Sequence, residues 1–338
     1  MKFSIIPDFK ILEYKLCVYI YKIRIFYYFY FICMFSGMQK NIVKNANIQI
    51  FDIDTIQGAI ESAFSTLVPK SVVWPRLSCC SRTDYGVHAI HNLAHIDVEN
   101  KYNSIYNPDT ALKYVNRYLI NCGHNIRVLE VIPVKDTFHV RQCANSRTYL
   151  YRVLRAKNNN DHKIPIIEKD YCLHLSICYR SDIFDTERIK RATQLFMGTK
   201  DFRTFSGKTI SYKPINYVKN LCSLTFEKGS PLMPFDPLSE NFEFWEFKCS
   251  SRSFVYKQVR RIVTTLIALG TGKITEKDIT VMLQVPGHNN FLPILRTVPA
   301  NGLYLLNVGY DQEYLDKHII KYKISDDEIV IPLDETEV

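Results

Sequence analysis

Residues 81–89 read Ser81-Arg82-Thr83-Asp84-Tyr85-Gly86-Val87-His88-Ala89. A glycine after a short polar run points to a tight turn entered from a strand, where a carboxylate can be held rigidly toward a cleft. Arg82 stands two residues before Asp84, so on an extended backbone both side chains leave the same face. An arginine placed there would keep the carboxylate ionised and could reach a phosphate or an extruded base. On these residues alone, a surface turn closed by an ion pair accounts for the run as well. The spacing of His88, His91 and His95 raises a metal site beside Asp84. Histidines that share a metal on a helix sit at i and i+4, whereas NLAHIDV (92–98) alternates as a strand, which sends His88 and His91 to opposite faces. No metal is expected.

Outward from this run, helices and strands alternate. Thr55–Leu67 places Ile56, Ile60, Ala63, Phe64 and Leu67 on one helical face, with Asp54 as cap. Asn107-Pro108 starts a second helix with proline at its first position, followed by Leu112, Val115 and Leu119. Arg147–Leu154 alternates as a strand with Tyr149, Tyr151 and Val153 on one face. Helices are expected over Thr186–Met197 and Val255–Leu269, and strands over Phe242–Cys249 and Gly302–Val308. Residues 156–165 and 227–241 read as loops. Helices packed on one face of antiparallel sheets make an α+β protein. A boundary near residues 130–136 gives an N-terminal half (24–132) and a C-terminal half (133–310). Residues 1–23 form an extension and 311–338 an acidic tail.

The net charge of +9 is unevenly spread. Residues 311–338 hold nine acids against three lysines, a net −6 that leaves +15 on the rest. A body that basic attracts polyanions, nucleic acid foremost, while the acidic tail reads as a solvated end. The ten cysteines include no C-x-x-C pair and show no zinc-ligand spacing, so they read as core thiols. The aromatic run IFYYFYFICM (25–34) is too short to span a bilayer, which takes about 20 residues, and favours a buried strand. The Lys-rich start makes a poor mitochondrial presequence. The address stays open between cytosol, nucleus and mitochondrion.

The run 81–89 resembles the G/S-R-T-D-x-G-V-H-A signature of TruA-type tRNA pseudouridine synthases. Further segments resemble that family in its own order: GMQKN (37–41) with TIQGAIESAF (55–64), FHVRQCANSRTYLYRV (138–153) and FMGTKDFRTFS (196–206). FWEFKCSSRSFVYKQVRRIVTTLIALGTGK (244–273) and RTVPANGLYLL (296–306) complete the set. SRTD in place of GRTD, with HNLAHIDV after it, is similar to the animal pseudouridylate synthase-like branch.

The resemblance implies a pseudouridine synthase fold, two halves whose sheets join across a central basic cleft with helices on the outer face. It implies isomerisation of uridine in structured RNA, tRNA above all, by a homodimer that needs no cofactor. Residue by residue, the catalytic aspartate falls on Asp84 and the base-flipping arginine on Arg82. The tyrosine that stacks on uracil falls on Tyr149, the arginine paired with the carboxylate on Arg260, and the leucine beside the base on Leu303. Arg260 and Arg261 are adjacent on a helix, so only one can point where the motif requires.

The chemistry suits those roles. The glycosidic bond must break, the freed uracil rotate, and its C5 join C1′. An aromatic ring can replace the stacking lost by an extruded base, a contact worth roughly 1–3 kcal/mol. The sequence departs from the family at its opening, keeping only Phe35-Ser36-Gly37-Met38-Gln39, and at Tyr85, where a small residue or lysine is common. A scaffold that binds RNA without modifying it is the competing expectation; a metal-dependent nuclease is a third.

Overall fold

The first helix begins where a threonine can cap it. The computed structural model describes residues 15–21, 37–39, 55–101, 106–158, 163–175, 183–209, 214–324 and 330–332. Thr55 is extended, and its hydroxyl accepts a hydrogen bond from Gly58 N–H at 3.1 Å. A first-turn donor is thereby satisfied by Thr55, while Asp54, the expected cap, lies outside the described residues. The helix, α1, runs Ile56–Ser65. Helix α2, Pro108–Asn121, is capped as expected: Asn107 Oδ1 accepts from the N–H groups of Asp109 and Thr110. Ile56, Ile60 and Phe64 of α1 share a core with Ala111, Val115 and Leu119 of α2.

The sheet under these helices has four strands in the order β2-β4-β1-β5. They are β1 (Lys15–Tyr21), β2 (Arg76–Cys79), β4 (Asn92–Asp97) and β5 (Arg127–Val134). Leu77, Ala94, Ile96 and Val128 supply the sheet's side of the core. β1 lies antiparallel between β4 and β5, with Lys15 opposite both Asp97 and Val134. This strand falls within residues 1–23, upstream of the first half as the sequence divides it. The aromatic run 25–34, expected as a buried strand, lies outside the described residues.

The second sheet is mixed. Its strands are β3 (His88–Ala89), β6 (Ala144–Ala156), β7 (Leu173–His174), β8 (Gly198–Asp201), β9 (Val218–Lys228), β10 (Phe242–Ser251) and β11 (Leu303–Tyr310). They lie in the order β3-β11-β6-β10-β9-β8, with β7 beside β6. β3 and β7 pair in parallel and the rest antiparallel. After the short turn α3 (Val140–Cys143), helices α4 (Thr186–Thr193), α5 (Gln258–Gly270) and α6 (Glu276–Gln284) share this sheet's core. The expected stripe of α5, Val259, Ile262, Val263, Leu266 and Ile267, is buried. Burying each such side chain contributes about 1.5–3 kcal/mol over leaving it exposed. The helix starts three residues later than the apolar periodicity suggests. Lys257 takes a left-handed backbone (φ 61°, ψ 9°) that no helix can continue through.

The architecture is α+β with mixed sheets. One crossing matters for function: the chain leaves the first sheet after β2, pairs as β3 with β11 of the second sheet, and returns to the first as β4. His88 lies opposite Tyr304, and Ala89 opposite Leu305. Asp84 sits on the segment that makes this crossing. The start of the acidic segment packs onto the body as α7 (Gln312–His318), with Leu315 buried and Ile320 N–H bonded to Pro133 O. Beyond it, β12 (Tyr322–Ile324) pairs with β13 (Val330–Pro332).

Candidate active site

The crossing segment is fixed at both ends. Cys80 N–H donates to Leu93 O (2.8 Å), and the buried Asn92 donates its amide to Ser81 O (2.9 Å), which pins the entrance to β4. Val87 N–H donates to Asp84 O (3.2 Å), closing a turn whose third residue, Gly86, has φ 78°. A glycine takes that conformation without steric cost. A Cβ on Gly86 would meet Ala300 Cβ at 3.2 Å, so the turn abuts the segment leading into β11. From the other side, Met38 N–H donates to Thr83 O (3.2 Å), and Gly37 lies against the backbone of residues 83–85. Thus the retained end of the family's opening pattern buttresses the motif.

Asp84 is half-buried, and that burial pushes its carboxyl above the ordinary carboxylate range. Arg260 and Lys257 oppose the shift, with Arg260 the stronger. Arg82 is exposed, and its charge is felt at Cys79. The charges that oppose the rise at Asp84 thus come from α5 and its cap, whereas spacing alone points to Arg82.

Tyr149 comes from β6, with its ring buried and its hydroxyl 3.0 Å from Ser81 Oγ. Phe254 meets the ring edge-on, with centroids 5.2 Å apart. Burial pushes the phenol up to about 12, helped by the nearby negative charge of Asp84 and opposed by the Ser81 hydrogen bond. Tyr149 is thus a neutral aromatic group beside the carboxylate. Tyr151, two residues on, bonds Pro299 O (2.9 Å) with a fully buried ring, which makes it structural.

The two arginines of α5 take different partners. Arg260 donates its Nε to Val298 O (2.8 Å) and acts on Asp84. Arg261 turns away to the carbonyls of Thr204 (2.8 Å) and Ser206 (2.7 Å) and lies over the Phe291 ring at 4.4 Å. Leu303 is buried in β11, opposite Tyr151 rather than Tyr149. It is Leu305 that stands opposite Tyr149. The histidines also separate. His88 Nε2 is 3.1 Å from Asn301 O, and its ring stacks with Tyr171 and Tyr304, whereas His95 Nδ1 accepts from Val140 N–H (3.2 Å).

Four participants were not singled out from the sequence. Ser81 lies inside the motif itself, and Phe254 and Lys257 lie in FVYKQVRR, so both segments carried the signal. Asn92 gave none, because its role depends on a strand crossing.

A half-buried carboxylate at the joint of two sheets, influenced by an arginine and a neutral tyrosine, can act as a nucleophile or a base. The chain belongs to the TruA family of tRNA pseudouridine synthases, which are isomerases. Residues 192–311, which include Arg260 and Leu303, match the family described as tRNA pseudouridine synthase. The chain is 33% identical over 257 residues to tRNA pseudouridine synthase-like 1 of Xenopus laevis, covering 76% of this chain and 82% of the relative. It is 32% identical over 262 residues to the human protein of the same description, covering 75% and 81%. With tRNA pseudouridine synthase A of Caulobacter sp. (strain K31) it shares 29% identity over 268 residues, covering 77% and 90%. Among the described residues, no helix is long and apolar enough to cross a membrane.

Proposed function

We propose that the chain converts uridine to pseudouridine in tRNA with Asp84 as the group that acts on the ribose. The observation that carries this reading is the convergence of Asp84, Arg260 and Tyr149 where β3 ties the two sheets together. The carboxylate serves as nucleophile at C1′ or as base toward the sugar, and either use needs the ionised form. Arg260 favours that form against the cost of burial. Tyr149 offers its ring to the uracil, replacing the stacking the base loses on leaving its helix. Arg82, exposed on the same segment, is placed to contact the strand from which the base is drawn. Leu303 lines the uracil's side of the pocket.

In this reading the halves 24–132 and 133–310 frame a basic cleft with Asp84 at its floor. The charge of +15 outside the acidic segment supports the cleft's affinity for RNA. A homodimer would let one RNA span both copies. The Asp84→Ala protein should bind tRNA but leave no pseudouridine when the incubated RNA is mapped. Equal modification by wild type and variant would exclude Asp84 as the catalytic group, whereas no modification by either would favour the RNA-binding scaffold.

A further inference from the structure

We infer that Tyr85, the exposed residue next to Asp84, contacts the RNA directly by stacking its ring on a base that flanks the target uridine. The inference deepens the proposed function and rests on the assignment of Asp84 as the catalytic carboxylate.

The turn that carries Tyr85 does not require a tyrosine. Val87 N–H donates to Asp84 O (3.2 Å), which makes Tyr85 and Gly86 the central pair. Gly86 has φ 78°, while Tyr85 is not among the residues with positive φ, the pattern of a type II turn. The first central position of such a turn needs no particular side chain, and proline is common there. Tyr85 is 60% exposed. Among the described residues its ring meets no other ring or cation, and its hydroxyl forms no hydrogen bond. A tyrosine left this far in water forgoes the gain of burying a large apolar ring.

The backbone beneath the ring is held from both sides. Met38 N–H donates to Thr83 O (3.2 Å), and a Cβ on Gly37 would lie 3.5 Å from Tyr85 N. Across the turn, a Cβ on Gly86 would lie 3.2 Å from Ala300 Cβ. A free ring on a fixed backbone suits recognition, because it offers a large contact area and has few side-chain torsions to lose. Other aromatic rings of the site are already engaged. Tyr149 bonds Ser81 (3.0 Å) and meets Phe254 edge-on. Tyr256 packs on Gly207, where a Cβ would come within 2.7 Å of its ring, and the Lys257 ammonium stands 5.0 Å from its centroid. Of these rings, Tyr85 alone is uncommitted.

The occupant follows from what must reach Asp84. Consecutive Cα atoms lie about 3.8 Å apart, so a nucleotide that meets the carboxylate passes beside Tyr85. A uridine drawn out of its stack leaves its neighbours with uncovered faces, and an aromatic side chain can cover one of them whatever the base. The buried Tyr149 is assigned to the uracil itself, which leaves the exposed ring for a neighbour. Arg82 is also exposed and forms no hydrogen bond or ion pair among the described residues. The motif therefore presents a free cation before the carboxylate and a free ring after it. That pairing of charge for the backbone with a ring for the bases is how proteins hold unpaired strands.

The test uses the full chain as wild type, Tyr85→Phe, Tyr85→Trp, Tyr85→Ala and Asp84→Ala, with a pool of unmodified tRNA transcripts. Single-turnover pseudouridine formation over a range of protein concentrations separates the saturated rate from the half-saturating concentration. Tyr85→Ala should raise the half-saturating concentration about 5- to 150-fold, the equivalent of one base–aromatic stack, with a smaller change in the saturated rate. Tyr85→Phe and Tyr85→Trp keep the ring and should stay close to wild type. Thermal midpoints should hold in all three, since the side chain is exposed. Tyr85→Trp also adds a reporter, whose fluorescence tRNA should quench beyond the change that Trp74 and Trp245 give in wild type. An unmoved half-saturating concentration in Tyr85→Ala would overturn the inference. So would an equal loss in Tyr85→Phe, which would assign the contact to the hydroxyl, or a changed molecular mass of free Tyr85→Ala, which would assign it to a second copy of the chain. Modification retained by Asp84→Ala would instead remove the assignment beneath the inference, while affinity and quenching, which need no catalysis, still read Tyr85.

Discussion

Tyr149 Oη lies 3.0 Å from Ser81 Oγ, so a tyrosine of the second sheet is bonded to the residue that opens the Asp84 motif. That bond and the ring can be separated by mutation. Tyr149→Phe removes only the hydrogen bond, a loss of about 0.5–1.5 kcal/mol that urea unfolding will read. Because the proposed use of Tyr149 is its ring face, the phenylalanine variant should stay within about tenfold of wild type in single-turnover rate, the equivalent of about 1.4 kcal/mol. Tyr149→Ala removes the ring and its contact with Phe254, and should cost about 3–5 kcal/mol of stability along with the activity. A dead phenylalanine variant would assign the work to the hydroxyl.

Asp84 is a site where stability and the proposed chemistry oppose each other. Its carboxyl titrates above the ordinary value of 3.8 because burial disfavours the charge. Between that value and the raised one, the folded protein binds more protons than the unfolded chain, so stability falls as pH rises through the window. Asp84→Asn removes that dependence. Thermal midpoints measured from acid to neutral pH should show the variant gaining on wild type as pH rises, with pseudouridine formation abolished. A constant difference between the two proteins would show that the charge carries no burial cost.

Arg260 and Arg261 are neighbours with different work. Arg260→Met should lower the modification rate by at least about a hundredfold, in the range of a lost charge-stabilising contact at a reacting group, and, by leaving one carbonyl, Val298 O, without its donor, should cost about 0.5–1.5 kcal/mol of stability. Arg261→Met leaves the carbonyls of Thr204 and Ser206 without their donor, and should cost about 1.5–3 kcal/mol of stability. At a temperature where both variants are folded, Arg261→Met should retain most of its rate. Unfolding curves and single-turnover rates on the same preparations decide between the two patterns.

What could be read from the chain divides along a physical line. Local signals were legible: the proline and Asn107 that start α2, the stripe of α5, the alternation of β6 and the turn at Gly86 each follow from residues within a few positions. Strands β2, β5, β8 and β9 and helix α6 were not, because their side chains alternate weakly and pairing with distant partners decides them. The motif assigned Asp84, Tyr149 and Arg260 to one site, whereas spacing alone nominated Arg82 as the partner of the carboxylate. Which cation serves a carboxylate depends on a helix folding back from about 170 residues later, information that no local pattern holds. The left-handed backbone of Lys257 was hidden for the same reason, since contacts with the Gly207 segment fix it.

The edge of the second sheet that carries β3 depends on a buried ion pair. Arg152 donates to both oxygens of Glu168 (2.7 and 3.0 Å), with the two side chains 6% and 0% exposed. Glu168 also accepts from Leu232 N–H (2.7 Å), and Arg152 donates to Ser230 O (3.0 Å). Removing one member leaves the other charge buried without its partner, which costs about 3–5 kcal/mol. Glu168→Gln should therefore unfold at much lower urea than wild type. The consequence should reach the active site through a traceable route. Tyr171, three residues after Glu168, accepts from Tyr304 Oη (2.7 Å), and both rings stack on His88 of β3. Loosening that stack should release β3 from β11, so hydrogen exchange at Ile90 N–H, bonded to Leu305 O at 2.8 Å, should accelerate before global unfolding. Replacing the pair together, Arg152→Met with Glu168→Leu, removes both charges and should recover much of the stability. If the double variant is as unstable as Glu168→Gln alone, the carbonyl and N–H contacts, rather than the pairing of charges, hold this edge in place.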